Sequence, residues 1–385
     1  MSDEKIRLGD VATYINGYAF KPEDRGNEGL PIVRIQDLTG NSYDLGFYNG
    51  DYPKKIEIND GDILISWSAS LGVYIWDRGM ALLNQHIFKV LFDKVPIDKQ
   101  YFVYAVRYKL AEMSTKTHGA TMKHIVKKDF DATQIPYPSI KEQETITLKL
   151  NKVSHIIEVR QQELKNLDEL IKARFVEMFG DPFINPRKWK KVKIEDAVTV
   201  EPQNGMYKPQ SDYVTDGSGT PILRIDGFYD GMVTDFSSLK RLFCDDRERQ
   251  KYLLKEDDIV INRVNSIEYL GKCAHITGLL EETVYESNMM RMHFDSMRFN
   301  PVYVTRFLCS QFVYDQIVNH AKKSVNQASI NQKDVLDFDI YQPPLELQNM
   351  FADFVKQVDK SKVAVQKAID ETQLLFDSLM QKYFG

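Results

Sequence analysis

Short segments with polar and aromatic residues lie at matching places in the two halves of this 385-residue chain, between apolar runs, and the last two segments of the second half differ in residues from their first-half partners. Arginine can bond guanine through two hydrogen bonds, asparagine and glutamine can bond adenine in the same way, and lysine, serine and threonine contact phosphates. The chemistry that these residue types favour is therefore nucleic-acid recognition. The segments are Tyr18 to Lys21, Ser66 to Ser70 and Thr117 to His124 in the first half, and Met206 to Lys208, Asn262 to Ser266 and Lys322 to Ser329 in the second.

Individual side chains in and near these segments are candidates for contact with bases or phosphates. Arg34 and Arg224 recur in both halves, so a role in shared structure or in backbone contact competes with base reading there. For Trp67 the alternative is a place in the core, and for Tyr18 and Tyr207 it is packing beneath the loop. The candidates are Tyr18, Lys21, Arg34, Ser66, Trp67, Ser68, Lys116, Lys123, His124, Tyr207, Lys208, Arg224, Arg263, Asn265, Ser266, Lys323, Asn326, Gln327 and Ser329.

No constellation typical of an enzyme accompanies these residues. The chain has no Gly-Lys-Ser/Thr phosphate loop, since Gly271-Lys272-Cys273 lacks the hydroxyl, and it has no Gly-x-Ser-x-Gly elbow and no metal-spaced histidine pair. For His118 and His124, in a basic loop, a structural or solvent role is favoured over catalysis. A scattered nuclease triad stays open, because its motif is too weak to exclude. The sequence predicts no catalytic residue, no metal site and no cofactor bound by this chain.

The charge of the chain is low overall but uneven. Hydrophobic residues make up 43% and aromatic residues 11%, as in a folded protein, and the formal net charge is -5. This charge argues mildly against a free-standing nucleic-acid binder. However, residues 105–128 and Arg187 to Lys193 are locally basic, and local patches decide phosphate contact. A weakly acidic chain also suggests that a basic partner helps to hold DNA.

The cysteines and the apolar runs bear on where in the cell the protein is expected. Cys244, Cys273 and Cys309 have no close cysteine or histidine spacing, so neither a disulfide framework nor a zinc site is expected. No apolar run approaches the roughly 20 residues of a membrane span, and the N-terminus lacks the apolar core of a signal peptide. We therefore expect a protein of the reducing cytoplasm without a membrane association.

The two halves repeat the same phrases in the same order. From Ile125 and Ile330 onward the matching residues are separated by a constant 205 residues, as far as Gly180 and Gly385. A repeat of this length is domain-sized, and a duplicated protein suits a target that itself has two halves, such as a split DNA site. The paired phrases are Asn16 to Pro22 with Asn204 to Pro209, Leu30 to Ile35 with Thr220 to Ile225, and Gly61 to Ser66 with Asp257 to Asn262.

Each half divides into a mixed part and a long helix. Residues 1–140 and 186–344 alternate short β-branched or aromatic runs with Gly, Asn and Asp turns, which predicts α+β globules. Residues 141–185 and 345–385 follow prolines and predict long helices. Within the globules, helices are expected at Asp98 to Ser114 and Pro301 to Ala321, and strand-like runs at Pro31 to Ile35, Ile63 to Ser66, Ile87 to Leu91 and Val302 to Phe307.

Apolar residues in both long helices recur at spacings of four and three, which is typical of a coiled coil. Arg160 and Arg174 interrupt this seam in the first helix, and Lys362 and Thr372 in the second. Such polar positions can fix register and partner choice. We expect the two seams to pack on each other, with packing of each helix on its own globule as the alternative. The seam residues are Ile146, Leu150, Val153, Ile157, Leu164, Leu167, Ile171, Phe351, Val355, Val358, Val365, Ile369 and Phe376.

The order of globule, helix, globule and helix, taken with these phrases, resembles the DNA-specificity subunit of type I restriction-modification enzymes. The segment Ile135 to Gln143 and the helix end Arg174 to Pro182 also carry the resemblance. It covers essentially the whole chain, and the order, duplication and spacing are more specific than any single phrase. One departure is Ser139-Ile140-Lys141, which stands where the second half has Pro344-Leu345-Glu346.

The resemblance implies that residues 1–140 and 186–344 are target recognition domains, each for one half of a split double-stranded DNA sequence. It implies that the helices of residues 141–185 and 345–385 form an antiparallel coiled coil, which sets the spacing between half-sites and docks two methyltransferase subunits. Nuclease-translocase subunits would join in a restricting complex. Catalysis would belong to these partners, which use S-adenosylmethionine, ATP and Mg. A prokaryotic cytoplasm would be the location.

Simple lengths agree with this interpretation. A helix of roughly 37 residues is about 55 Å long, or about one and a half DNA turns of 34–36 Å, and two weak readers that are linked gain affinity through effective concentration. Two other functions stay open. A self-contained or fused restriction endonuclease would cleave DNA without partners. A coiled-coil scaffold would show no salt-sensitive DNA binding even beside a methyltransferase.

Overall fold

The computed structural model of the protein describes residues 4–40, 46–116, 125–233 and 235–385, without the side chains of residues 115 and 116. The chain divides into two compact units. The first is formed by Met1–Gln162 with Gln366–Gly385, and the second by Glu163–Val365. Both units mix short strands with helices, so the predicted α+β class is confirmed. In the described part of the chain, no helix has the length and apolar character needed to cross a membrane.

The elements of the first unit, within the described ranges, are short strands followed by helices. The strands are β1 (Lys5–Arg7), β2 (Thr13–Asn16), β3 (Leu30–Val33), β4 (Phe47–Tyr48), β5 (Glu57–Ile58), β6 (Ile63–Ser66), β7 (Gly72–Ile75), β8 (Ala81–Leu83), β9 (Ile87–Leu91) and β10 (Gln134–Pro136). The helices are α1 (Leu8–Val11), α2 (Ile35–Leu38), α3 (Lys99–Lys116), α4 (Lys127–Ala132) and the start of α5 (Ile140–Phe179).

Two four-stranded sheets form the body of the first unit. In one, the order is β2-β9-β6-β7 and all neighbours are antiparallel. In the other, the order is β4-β3-β8-β5, and β3 and β8 run parallel. Strands β1 and β10 form a separate antiparallel pair. The apolar strand β6 lies between two neighbours and is buried along its whole length, which explains its uninterrupted apolar run.

The second unit contains more strands within the described residues. They are β11 (Lys190–Lys193), β12 (Val198–Asn204), β13 (Tyr213–Val214), β14 (Thr220–Leu223), β15 (Phe228–Tyr229), β16 (Gly231–Val233), β17 (Arg241–Leu242), β18 (Ile259–Asn262), β19 (Val264–Asn265), β20 (Cys273–His275), β21 (Val284–Tyr285), β22 (Met289–Phe294), β23 (Lys322–Lys323), β24 (Ala328–Ser329) and β25 (Asp339–Gln342). The helices are α6 (Asp246–Lys251), α7 (Pro301–Leu308), α8 (Gln311–His320), α9 (Gln332–Leu336) and α10 (Leu345–Phe384), whose last part lies in the first unit.

The sheets of the second unit repeat those of the first and extend them. The order β12-β22-β18-β20-β16-β15 begins with counterparts of β2, β9, β6 and β7 and adds two strands. A four-stranded sheet, β13-β17-β14-β21, and the pair β11-β25 have counterparts in the first unit as well. A three-stranded sheet, β19-β24-β23, joins two of the candidate segments. The corresponding part of the first unit includes residues 117–124, which lie outside the described residues.

Two expectations about elements need correction, while a third is confirmed. The single helix expected over Pro301 to Ala321 is two helices, because Ser310 has an extended backbone (φ −75°, ψ 154°), the geometry of a residue that precedes a helix. The strand-like run Val302 to Phe307 is helical, since the Asn300 side chain caps α7 and a proline occupies its first turn. The helix expected at Asp98 to Ser114 is confirmed as α3.

A buried glutamine fixes the start of each long helix. Gln143 and Gln348 are fully buried, and each donates from Nε2 to the carbonyl of the proline five residues earlier, at 2.9 and 2.8 Å. Each also accepts a bond from the globule, from Asp98 N at 2.9 Å and from Asn300 N at 2.8 Å. Because a buried amide needs such partners, each glutamine ties its helix to the adjoining globule.

In the first unit, the start of α5 packs with the end of α10. Ile146 and Leu150 of α5 share one core with Met380 and Phe384 of α10. The core also contains residues of the globule, and the ring of Tyr101 lies 5.2 Å from that of Phe384. The helices therefore contact both each other and the globule here.

In the second unit, the end of α5 packs with the start of α10. The rings of Phe175 and Phe179 each lie 5.5 Å from the ring of Phe351, and Phe179 also lies 4.6 Å from Tyr303 of the globule. Within this unit Phe175 meets Phe351 and Asp168 meets Lys362, so residue numbers rise along α5 while they fall along α10, and the antiparallel arrangement is confirmed. Every predicted seam residue is buried or half-buried. The alternative, packing on the globule, also holds at these helix ends.

The polar residues that interrupt the seam have partners across it. Arg160 donates from Nη1 to the carbonyl of Ala368 at 2.6 Å and to the hydroxyl of Thr372 at 2.7 Å. In the second unit, Lys362 forms an ion pair with Asp168 at 2.6 Å. Since an unpaired polar group inside a coil is costly, these pairs favour one register of the two helices.

Two of the three cysteines are neighbours in space. Cys273 lies in β20 and Cys309 follows α7, yet their Sγ atoms are 3.4 Å apart. All three cysteines are free. The distance exceeds the S–S bond length of about 2.05 Å, so the two groups pack as thiols.

Candidate nucleic-acid interface

In the first unit, two candidate segments are bonded to one turn, Asn84–His86, which lies between β8 and β9. Tyr18 N donates to Leu83 O at 2.8 Å, and Gln85 N donates to Tyr18 O at 2.8 Å. Trp67 N donates to the carbonyl of His86 at 3.2 Å. The loops that follow β2 and β6 are thus held together by the backbone of this turn.

The third candidate segment of the first unit ends beside the second. Ile125 N donates to the carbonyl of Trp67 at 2.9 Å, directly after the segment Thr117 to His124. Lys123 and His124 lie outside the described residues, and so does the side chain of Lys116 at the end of α3. Their predicted contacts therefore stay predictions.

The second unit repeats this arrangement bond for bond. Met206 N donates to Tyr285 O at 2.8 Å, and Ser287 N donates to Met206 O at 2.9 Å. Arg263 N donates to Asn288 O at 2.8 Å, as Trp67 N does to His86 O in the first unit. The remaining counterpart is the bond from Ile330 N to Arg263 O, at 3.0 Å.

We call each arrangement a turn frame. The first turn frame consists of Gly17–Tyr18, Trp67 and Asn84–His86, and the second of Gly205–Met206, Arg263 and Glu286–Asn288. Backbone atoms make all of the equivalent bonds, so the frame does not depend on the side chains. Side chains can therefore differ between the two frames while the backbone geometry is kept.

Glycine is required at one position of each turn frame. A Cβ atom on Gly17 would overlap the carbonyl oxygen of Asn84, and a Cβ atom on Gly205 would overlap that of Glu286. Only glycine permits two backbone segments to approach so closely. The repeated Asn-Gly dipeptide of the two halves is explained by this contact.

The side chains of the Ser66–Ser68 segment are divided between the core and the surface. The Ser66 hydroxyl is buried and donates to the carbonyl of Ser70, so it serves the loop itself. Trp67 is half-buried, with its ring stacked 5.6 Å from Phe88 and edge-on to His86 at 4.9 Å. Ser68 is also half-buried. Trp67 therefore takes part in the core on one side.

The Tyr18–Lys21 segment combines a buried and an exposed part. Tyr18 is 41% exposed and its ring lies edge-on, 5.0 Å from that of buried Phe20. Lys21 is exposed beside Glu23, with 3.9 Å between the charged atoms. Tyr18 thus packs on the loop, which is the alternative to base contact given above. Part of its ring is still exposed to solvent.

The arginines that recur in both halves are held by acidic residues. Arg34 is buried and forms an ion pair with Asp37 at 3.1 Å. Arg224 donates to the hydroxyl of Tyr213 at 3.2 Å and lies 3.9 Å from Glu286. Both therefore have a structural role within their own unit.

In the Tyr207–Lys208 pair, the tyrosine ring is exposed and the lysine is ion-paired. Tyr207 is 79% exposed. Lys208 pairs with Glu248 at 2.8 Å and lies 3.7 Å from Asp212. The hydrogen bond to Glu248 raises the pKa of Lys208, because it favours the ammonium form. The charge of Lys208 is thus largely directed to these carboxylates.

Two predicted segments of the second unit form one surface. In the three-stranded sheet, Val264 pairs with Ser329 and Asn265 with Ala328. The tip of the hairpin carries the candidates Lys323, Asn326 and Gln327, which are all exposed beside Val325. Asn265, Ser266 and Ser329 are half-buried in the same sheet or next to it. The guanidinium of Arg263 donates to Ser287 O at 3.1 Å, while its buried Nε lacks a partner among the described atoms.

The turns Asn84–His86 and Glu286–Asn288 are not among the sequence candidates. A signal exists, since both precede a strand of the same pattern, Ile87–Leu91 and Met289–Phe294. Both also follow an apolar pair, but the turn residues themselves are unlike, so a search for repeated phrases passes over them. Over the residues that the structure places, no group of three or more His, Cys, Asp or Glu side chains could hold a metal ion.

Two copies of one turn frame, each with its own side chains, and antiparallel helices in each unit define a duplicated architecture. The family described as "Type I restriction modification DNA specificity domain" matches residues 3–169 and 186–372. This match extends over most of the chain and includes both turn frames. The chain therefore belongs to the family of type I restriction-modification specificity subunits, as the resemblance of its phrases predicted.

Relatives and solved structures agree with the family. The chain is 24% identical to the type I restriction enzyme EcoKI specificity subunit of Escherichia coli K12, over 98% of this chain and 87% of that protein. It is 22% identical to the EcoBI specificity subunit of E. coli, over 99% and 85%. The fold is similar to that of the S subunit from M. genitalium, with a TM-score of 0.54, 14% identity and coverage of 99% and 96%. A chain from a structural study of the type I R-M system has a TM-score of 0.58, 18% identity and coverage of 99% and 97%.

Proposed function

We propose that this subunit recognises a split double-stranded DNA sequence, one half through each turn frame, and brings two methyltransferase subunits to it. The observation that carries the proposal is the bond-for-bond repetition of the frame with unlike side chains. A common frame gives both units the same way of approaching DNA, while different side chains give them different base preferences. Such a protein would recognise an asymmetric sequence in two parts.

The candidate contacts separate into two groups on the basis of their protein partners. Arg34, Ser66 and Lys208 are buried or bonded within the protein, so we assign them to the fold. The exposed hairpin of the second unit and its neighbour Arg263 are the better placed candidates. They are rich in groups that bond base edges and phosphates: Arg263, Asn265, Ser266, Lys323, Asn326, Gln327 and Ser329.

The long helices carry exposed apolar side chains outside their seam, and we propose that methyltransferase subunits dock on them. Isolated exposed apolar residues are common, whereas a contiguous apolar patch marks an interaction surface. In the first unit these residues are Leu148, Ile156, Val159, Leu374 and Leu375, and in the second they are Leu170, Val176, Met350 and Val363. Their presence in both units supports two docking sites.

Catalysis and its cofactors would belong to the partners in this proposal. The methyltransferase would use S-adenosylmethionine to methylate adenine. Nuclease-translocase subunits, where present, would use ATP and Mg. The specificity subunit would contribute the choice of sequence, and the complex would act in the cytoplasm of a prokaryote.

The paired helices would also set the unread gap between the two half-sites. Helices α5 and α10 each have 40 residues, or about 60 Å at 1.5 Å per residue. Insertion of one heptad into each helix adds about 10 Å and keeps the seam in phase. We expect the unread gap of the methylated motif to lengthen by about three base pairs, at 3.4 Å per pair. An unchanged gap would contradict this role.

The function is tested by single-molecule methylome sequencing of cells that express the neighbouring methyltransferase with and without this chain. We expect a new adenine-methylated motif in two unlike parts, with a fixed gap, only when the chain is present. Absence of a motif although the two proteins associate would favour a scaffold without a DNA role. Cleavage of DNA by the purified chain alone would favour the endonuclease alternative.

A further inference from the structure

We propose that the turns of the two frames read bases, through Gln85 and His86 in the first unit and through Ser287 and Asn288 in the second. This inference rests on the proposed function and specifies which residues choose the sequence. Neither turn contains a residue that the phrases of the two halves share. Each turn nevertheless contacts two candidate segments of its own unit through the backbone.

The first residue of each turn serves the fold. Asn84 accepts a hydrogen bond from Gln85 N at its own Oδ1, at 2.8 Å. Glu286 accepts one from Ile225 N at 2.6 Å and is buried. The two residues that follow have no such task, since their backbone atoms alone maintain the frame. Apart from the contact of the His86 ring with Trp67, the frame places no demand on their side chains.

The amides of Gln85 and Asn288 have the chemistry of adenine readers. Each presents a donor and an acceptor side by side, as the N7 and N6 edge of adenine requires. Within the described part of the chain, no residue bonds to either amide. Gln85 is exposed, and Asn288 is half-buried beside Arg263. An asparagine next to an arginine would allow an adenine and a guanine to be read in neighbouring positions.

The turn of the first unit shows two further signs of a binding site. His86 has φ of 71°, a left-handed backbone that residues other than glycine rarely adopt. Its Nδ1 atom is buried and has no hydrogen-bond partner among the described residues. Strain of this kind is kept where the surrounding structure fixes it, and functional sites are enriched in it.

The backbone of each turn is fixed from two directions, which is what precise base reading requires. In the second unit, Ser287 N bonds Met206 O and Asn288 O accepts from Arg263 N, so the turn cannot shift without breaking both contacts. Gly205, which precedes Met206, lies so close to the backbone of Glu286 that no residue with a Cβ atom would fit there. Preorganised side chains lose less entropy on binding.

The test compares methylated motifs in cells that express the methyltransferase with this chain or with a variant. The wild-type motif is determined first, and its absence would reject the proposed function rather than the present inference. Gln85→Ala should then relax one position in one half-site, and Asn288→Ala one position in the other. Loss of two hydrogen bonds to a base should reduce discrimination at that position on the order of 10-fold or more. Each variant should leave the opposite half-site unchanged.

Controls separate base reading from a structural role. Gln36→Ala and Gln250→Ala remove exposed amides outside the turn frames, in the first and second unit, and should leave the motif unchanged. Gln85→Glu and Asn288→Asp keep the shape of the side chain but replace the donor by an acceptor. They should shift the preference at the same position from adenine towards cytosine, whose N4 amino group is a donor. A shift to a new base cannot result from loss of folding.

An unchanged motif with all four turn variants would overturn the inference. So would relaxation of both half-sites by a single variant, since that would show general weakening of DNA binding. If an alanine variant fails to fold, as judged by thermal unfolding of the purified complex, the isosteric acid variant at that position decides. Retention of the wild-type base by a folded acid variant would count against the turn.

Discussion

The first and second units use one backbone frame but present different chemistry on it. Trp67 occupies the position of Arg263, and His86 the position of Asn288, although the backbone bonds at these positions are the same. The first frame thus offers an aromatic and an imidazole group, and the second a guanidinium and an amide. The shared part of the duplication is therefore structural, and the unlike part is available for specificity.

The units differ in the amount of sheet that surrounds the frame. The second unit extends its main sheet with β16 and β15, whereas the first ends at β7 in the described residues. The second unit also places a hairpin, Lys322–Ser329, beside Arg263. An exposed hairpin with lysines and amides enlarges the polar surface of the second frame. The second frame therefore has a polar hairpin beside it that can contact a half-site, while the corresponding residues 117–124 of the first unit lie outside the described residues.

The largest expected effect concerns the long helices, which enter the core of both units. Phe351→Ala should destabilise the second unit by about 3–5 kcal/mol, because it removes a fully buried ring and leaves a cavity. Its counterpart by sequence is Ile146, and Ile146→Ala should cost the first unit about 2–5 kcal/mol. Hydrogen exchange of each unit measures the two losses separately.

The control for these substitutions is Val363→Ala, since Val363 is 71% exposed on the same helix as Phe351. It should change stability by no more than about 0.5 kcal/mol. A loss of protection in both units after either core substitution would show that the units unfold together. If Ile146→Ala changed stability as little as the control does, the stability of the first unit would depend less on its long helices than that of the second unit.

Much of this architecture follows from the sequence, because repeated phrases and heptads reflect backbone and core requirements. The Asn-Gly dipeptides mark a contact that only glycine permits, and Gln143 and Gln348 mark a buried amide at each helix start. The break at Ser310 was not predictable from periodicity, because the apolar spacing of α7 and α8 continues across it.

The site was less predictable than the fold for a physical reason. The frame is made by backbone atoms, which leave no side-chain signature in the sequence. The turns that complete it contain unlike residues in the two halves, and Arg34 and Lys208, which are conspicuous cations, prove to be paired with acids. Some candidate side chains bond to other residues of the same chain. These tertiary contacts cannot be seen in a pattern of residue types.

The second prediction tests whether the two frames are equivalent in energy. Gly17→Ala and Gly205→Ala should each destabilise their own unit by about 1–3 kcal/mol, because a Cβ atom would force two backbone segments apart. Urea denaturation followed by hydrogen exchange measures both. Gly26→Ala is a matched control, since its Cβ would come no closer than 3.8 Å to other atoms. If alanine at Gly17 or at Gly205 caused no loss of stability, the backbone of that frame would be less tightly fixed than the backbone of the other.

The third prediction concerns the polar contact of the seam in the first unit. Arg160→Met and Thr372→Val each remove one side of a 2.7 Å hydrogen bond. A double-mutant cycle should give a coupling energy of about 1 kcal/mol, the net contribution of one such hydrogen bond, since each remaining group keeps its bond to the carbonyl of Ala368. Additive effects, measured by urea denaturation, would show that the two residues do not interact. Lys362 and Asp168 offer the equivalent cycle in the second unit.

The smallest expected effect distinguishes the frames by pH. The second frame has Glu286 where the first has the neutral Asn84. Burial raises the pKa of Glu286 above its ordinary value of 4.5, because the carboxylate loses water, and the hydrogen bond from Ile225 and the charge of Arg224 do not fully compensate. Asp226 opposes ionisation as well, while Lys240 favours it.

A raised pKa means that the folded protein binds this proton more tightly than the unfolded chain does. The contribution of Glu286 to stability is therefore fully present below pH 4.5 and is lost as the pH rises through the folded-state pKa. Glu286→Gln keeps an acceptor for Ile225 N and abolishes the titration. The variant should gain stability relative to the wild type as the pH is raised from 4 to 8.

Glu281 provides a control of opposite sign in the same unit. Its hydrogen bond with Arg241 lowers the pKa of Glu281, so its contribution is present above pH 4.5 and is lost as the pH falls through the lower folded-state value. Glu281→Gln should therefore be less stable than the wild type at neutral pH, and the difference should disappear in acid. Urea denaturation of both variants between pH 3 and 8 gives the two slopes. Slopes of the same sign would mean that burial does not oppose ionisation of the Glu286 carboxyl. The second frame would then accommodate a charged Glu286 as readily as the first accommodates the neutral Asn84.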